Sequence, residues 1–74
     1  MTIPQTGRIP VQSSLLVSIG YSVHATLELE FRSGALYRYF AVPRAVVVQL
    51  LAAESKGAYF NRNIRSRFPY QRLA

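Results

Sequence analysis

A chain of 74 residues has room for one core and no second domain, and with no cysteine, one histidine (His24) and three carboxylates (Glu28, Glu30, Glu54) it lacks the disulfides and metal clusters that often staple folds of this size. Nine Lys and Arg against three acids give a net charge of +6 and a pI near 10.6, and eight of the nine are arginine, the planar bidentate donor suited to phosphate and to stacking on bases. Half of the residues are hydrophobic, with five Tyr and four Phe among them, which argues against a disordered chain and leaves packing, alone or with a second copy, as the source of stability.

Met1 to Gln12 carries Pro4, Gly7 and Pro10 among few strongly apolar residues. This suits a loose lead-in or an extended edge strand over 1–10, partly disordered, ahead of a single domain over 11–74. No apolar stretch follows a charged start between Met1 and Ser14, so the segment reads as neither a signal peptide nor a membrane span. A cytoplasmic protein with no membrane partner is expected.

Leu15 to Val23 is apolar and β-branched, interrupted by Gly20, and predicts a first strand. From Ala25 to Arg32, Leu27, Leu29 and Phe31 alternate with Glu28, Glu30 and Arg32, the cleanest period-two pattern of the chain. Ser33-Gly34 supplies the permissive backbone of a tight hairpin before a third strand, Ala35 to Val42. On that strand Leu36 and Phe40 share one parity with Arg38, while Tyr37 and Tyr39 share the other. Either set could face the core, and periodicity leaves both orientations open.

Val42-Pro43 ends the strand and opens a helix, because proline at the first helical position gives up an amide that has no partner there. Over Arg44 to Glu54, Val46, Val47, Leu50, Leu51 and Ala53 form one apolar stripe. Ser55-Lys56-Gly57 breaks it, with Gly57 expected as a left-handed cap. A second helix is predicted from Ala58 to about Arg67, with Tyr59, Phe60, Ile64 and Phe68 at compatible spacing, and Pro69 stops it. Tyr70 to Ala74 is free to pair as a short edge strand or to lie on the sheet. The fold class that follows is α+β: a three-stranded antiparallel meander, then two short helices packed on the sheet, with room for a short edge strand at a terminus.

The densest functional signal is the stretch Lys56 to Arg72, which holds Lys56, Arg62, Arg65, Arg67 and Arg72 and no acid. On a helix Arg62 and Arg65 share a face with Asn61 and Asn63 beside them, an arrangement able to grip a phosphate backbone through paired charge-assisted hydrogen bonds. The same arginines would equally make a solvated face whose stems cover apolar surface. Lys56-Gly57 at a helix start could form a small anion seat, although it lacks the spacing of a phosphate-binding loop. Tyr37-Arg38-Tyr39 puts two rings on one sheet face, within reach of successive bases, or else buries them beneath a helix. His24 stands alone at a turn, which supports neither a metal site nor a triad, and Glu28 with Glu30 more simply solvate the sheet or bridge to Arg32 and Arg38 than work as an acid–base pair. No cofactor, metal or catalysis is expected.

Several of these features recur in one order: Ser13-Ser14, Leu27-Glu28-Leu29-Glu30-Phe31 with Ser33-Gly34, Tyr37-Arg38-Tyr39, Val42-Pro43, then Ser55-Lys56-Gly57 followed by Tyr59-Phe60-Asn61 and Ile64-Arg65. Together they resemble the KTSC domain, a family named for a domain at the C-terminus of some lysyl-tRNA synthetases and found also as short stand-alone bacterial proteins, with a central Tyr-x-Tyr as its hallmark. The resemblance spans roughly Val11 to Leu73. It implies an RNA partner, by way of the synthetase context. The leading expectation is thus a small basic module binding RNA or another nucleic acid through Tyr37, Arg38, Tyr39, Lys56, Gly57, Asn61, Arg62, Arg65 and Arg67. The alternative is a protein-interaction module or homodimeric accessory protein without nucleic-acid binding.

Overall fold

The computed structural model describes residues 8–74. Five strands lie side by side in chain order, each antiparallel to the next: β1 (Ile9–Pro10), β2 (Leu16–Tyr21), β3 (Leu27–Phe31), β4 (Leu36–Tyr39) and β5 (Tyr70–Arg72). Two helices, α1 (Arg44–Ala52) and α2 (Lys56–Asn63), intervene between β4 and β5. The architecture is α+β with an antiparallel sheet and two helices, but the expected three-stranded meander is only the centre of the sheet. The added strands hold two and three residues, too few for alternation to register in the sequence, and pairing with a longer neighbour defines them. Ile9 lies opposite Ile19, and Tyr70 opposite Tyr39. Ile9–Pro10 thus takes the edge-strand alternative, where a missing amide is tolerated; the disorder expected further upstream falls on residues 1–7, outside the described ones.

Both central hairpins close in the same way. In the β3–β4 turn the Gly34 amide donates to the Phe31 carbonyl at 2.9 Å and Gly34 takes φ +95°. In the β2–β3 turn the Ala25 amide donates to the Ser22 carbonyl at 3.1 Å, and Ala25 takes φ +58° without the help of being glycine. Ala41, at φ +59°, ends β4 earlier than Val42, and the amide of Val42 then donates to the Ala25 carbonyl at 2.9 Å.

The register decides which face of β4 is inward. Leu27 pairs with Tyr39 and Leu29 with Tyr37, so the tyrosines share the leucines' face, beneath the helices. Leu16, Ile19, Leu27 and Leu29 are fully buried against Val47 and Leu50 of α1 and Ile64, with Phe60 of α2 nearly so. Each such side chain contributes roughly 1.5–3 kcal/mol. Arg38 stands on the opposite face beside Glu28, which binds both Arg8 and, at 3.2 Å, Arg38. Ser18, buried there, donates to Glu30 at 2.8 Å and accepts from Arg8 at 3.1 Å.

The helices differ from expectation at their ends. α1 stops at Ala52, two residues before Glu54, because Ala53 is already extended. α2 starts at Lys56, since the Ser55 hydroxyl caps it by accepting from the Ala58 amide at 3.2 Å. Gly57 therefore lies inside α2 and is not a left-handed terminator; a Cβ on it would meet the Leu15 Cβ at 3.2 Å. α2 ends at Asn63, four residues short of Arg67, where a turn through Ser66 (φ +63°) sends the chain back to the sheet edge as β5. Among the described residues no helix is long and apolar enough to cross a membrane.

Candidate functional site

The inward face of β4, the exposed strand β5 and the end of α2 enclose a cleft of about 700 Å³. Tyr37 and Tyr39 stand two residues apart on β4 with their rings stacked, centroids 6.2 Å apart and planes 21° from parallel. Tyr70, opposite Tyr39 on β5, lies 5.6 Å from the Tyr37 ring and 5.7 Å from the Tyr39 ring. Phe31 and Phe60 meet this group edge-on, at 5.7 Å from Tyr37 and Tyr39 respectively. The five rings form one continuous surface, buried at Tyr39 (5% exposed) and open at Tyr70 (59% exposed). Edge-to-face and offset contacts of this kind hold the rings in place before any ligand arrives.

Two cations line the cleft, from different elements. Arg72 of β5 lies over the Tyr37 ring, its Cζ 5.8 Å from the centroid, and its Nε donates to the Ala74 carbonyl at 2.8 Å. Arg65, just past α2, is near enough to Tyr39 to favour that residue's phenolate. Burial of Tyr39 outweighs this, with Tyr37 and Tyr70 adding to it, and the phenol is pushed up to about 12. Tyr39 keeps its proton at neutral pH. Among the described residues no Asp or Glu side chain lines the cleft. The chemistry on offer is that of hydrogen-bond donors and aromatic faces, matched to a ligand that is anionic and flat. Among the described residues no group of three His, Cys, Asp or Glu could hold a metal.

The fold brings together Tyr37, Tyr39, Asn61 and Arg65 of the residues singled out in the sequence. It does not bring Arg38, which is on the other face with Glu28. Lys56 donates to the Ala53 carbonyl at 3.2 Å, closing the end of α1, and Gly57 packs on Leu15; neither lines the cleft. Arg62 and Arg67 are exposed and outside the lining; Arg62 is still helical while Arg65 is not, which separates the pair expected on one helix face. Tyr70 is the functional candidate that sequence reasoning missed, and Arg72, counted in the basic stretch Lys56 to Arg72, falls outside the expected binding set. Their spacing matches that of Tyr37 and Tyr39, a signal that becomes readable only once the tail is known to be a strand.

The KTSC domain model matches residues 12–68, more than half of the chain. The chain belongs to the KTSC domain family. This KTSC domain superposes on the crystal structure of a KTSC domain protein of Yersinia pestis with a TM-score of 0.89 at 35% identity, covering 92% of this chain and 97% of the other. It is 55% identical over 56 residues to an uncharacterized protein of Stutzerimonas stutzeri, a match covering 74% of this chain and 79% of that protein. It is also 49% identical over 49 residues to a lysine–tRNA ligase of a Nostoc species; that match takes in 66% of this chain and only 9% of the ligase.

Proposed function

We propose that this KTSC domain is a binding module for single-stranded nucleic acid, RNA in particular, which stacks a base on the open Tyr70 end of the Tyr37–Tyr39–Tyr70 wall and holds phosphate with Arg65 and Arg72. The observation that carries the proposal is the convergence of those three phenols and two guanidiniums on one cleft that, among the described residues, no Asp or Glu side chain lines. Base–aromatic stacking is worth roughly 1–3 kcal/mol per base and tolerates any sequence, and guanidinium forks match phosphate oxygens. The related segment of lysine–tRNA ligases, proteins named for a tRNA, favours RNA among the nucleic acids. The role is binding without chemistry, with Tyr39 protonated and no nucleophile, and an RNA partner implies the cytoplasm.

The test is fluorescence anisotropy with single-stranded RNA, hairpin RNA and duplex DNA at low and physiological salt. Single-stranded RNA should bind most tightly and persist at physiological salt. The double variant Arg65→Glu, Arg72→Glu should weaken it at least about tenfold, while Arg44→Gln, exposed on α1 and outside the cleft lining, should leave it unchanged. Wild-type affinity in the double variant rules the proposal out.

A second reading, a protein-interaction module or homodimer, is favoured by one observation: all three residues of β5 are exposed and its outer edge pairs with no described strand. A light-scattering mass that grows with protein concentration and does not respond to added RNA would select it.

A further inference from the structure

We propose that the cleft seats a single nucleotide ending in a phosphate monoester, drawn either from a free nucleoside monophosphate or from the phosphorylated end of an RNA strand. The inference rests on the nucleic-acid reading above and narrows it.

Four features point this way. The first is extent: about 700 Å³ is the scale of one small ligand, and the walls come from three directions, the β3–β4 turn at Ser33, β5, and the turn at Ser66. A track for a long strand would instead run on past its walls. The second is how the rings are spent. Tyr37, Tyr39, Phe31 and Phe60 occupy one another's faces and edges, so Tyr70 offers the one mostly open ring, enough for one base. The third is charge. A monoester carries about −1.5 to −2 near neutral pH and three acceptor oxygens, where an internal diester carries a single charge. Two guanidiniums from separate elements line the cleft together with three tyrosines and, among the described residues, no Asp or Glu side chain, which matches the monoester. The fourth is preparation: Arg72 is already held by the Ala74 carbonyl and the Tyr37 ring, so little side-chain freedom is lost on binding.

The experiment is a titration of the full chain followed by amide chemical shifts, with adenosine 5′-monophosphate, adenosine and inorganic phosphate as separate probes. The monophosphate should shift residues 37–39, 61–66 and 70–72, bind at least about tenfold more tightly than adenosine or phosphate alone, and gain affinity from about pH 5 to about pH 7 as its second proton leaves. In Arg65→Gln, Arg72→Gln, with spectral dispersion showing the fold intact, that advantage should vanish. Short RNAs with and without a 5′-phosphate then separate the two sources: a preference for the phosphorylated strand marks the strand end, and no preference marks the free nucleotide. Equal binding of adenosine and its monophosphate, or shifts outside the cleft, overturns the inference. RNA binding that depends on Arg65 and Arg72 alongside that result leaves the broader proposal standing. A seated monophosphate with no RNA bound in any form supports the nucleotide seat and removes the RNA-binding role.

Discussion

Tyr39 joins stability to the site. Its ring is buried between Tyr37, Tyr70 and Phe60, and its hydroxyl proton is held up to about 12 against an ordinary 10.0, first by burial, then by the two neighbouring phenols, with Arg65 opposing. The unfolded chain gives up this proton near 10 and the folded one does not, so between those values the unfolded state binds fewer protons and stability falls as pH rises. The contribution is whole below about pH 10 and is lost as pH passes about 12, a change on the order of 2 kcal/mol. Urea titrations of wild type and Tyr39→Phe at about pH 8, 10 and 11 check this. The phenylalanine variant should match wild type at the lowest pH and decline less steeply above it; parallel declines would remove Tyr39 from the account.

At the scale of elements, the site depends on where α2 begins. Ser55 caps the helix that carries Phe60 and Asn61 into the cleft, so Ser55→Ala should cost about 1 kcal/mol, seen as a fall in melting temperature of roughly 4–8 °C, and Ser55→Asp should restore most of it. The capping role was hidden in the sequence because Ser55-Lys56-Gly57 also reads as a helix stop, and only the packing of Gly57 on Leu15 shows the glycine to be a matter of space. The hairpins show the same limit. Ser33-Gly34 announces its turn, whereas Ala25 and Ala41 adopt the same left-handed backbone with a residue that signals nothing. Periodicity located β2, β3, β4 and α1 to within a few residues. It could not choose the inward face of β4, since Leu36 and Phe40 are more apolar than Tyr37 and Tyr39 while the tyrosines bring larger rings, and that choice belongs to the register with Leu27 and Leu29. Tyr37, Tyr39 and Arg65 were therefore readable as site residues, Arg72 only as one charge of the basic stretch, and Tyr70 not at all.

Over the whole molecule, a net charge of +6 overstates what a nucleic acid would meet at any one place. Arg8 and Arg38 are engaged by Glu28, Glu30 is bonded to Ser18, and all of these lie on the sheet face away from the helices. Arg32 donates to the Ser13 carbonyl at 2.6 Å. The cations left at the cleft are Arg65 and Arg72, with exposed Arg62 and Arg67 close along the chain. For a single strand, log affinity falls with log salt at about −0.7 per phosphate neutralised, so two contacts give a slope near −1.4 and four near −2.8. A short single-stranded RNA should therefore fall between these values, well short of what six charges would produce. Neutralising Arg65 and Arg72 together should lower the steepness by about 1.4, because that part of the slope counts the ions those two residues release. If the steepness is unchanged, the phosphates lie along Arg62 and Arg67, and the cleft holds something other than the strand.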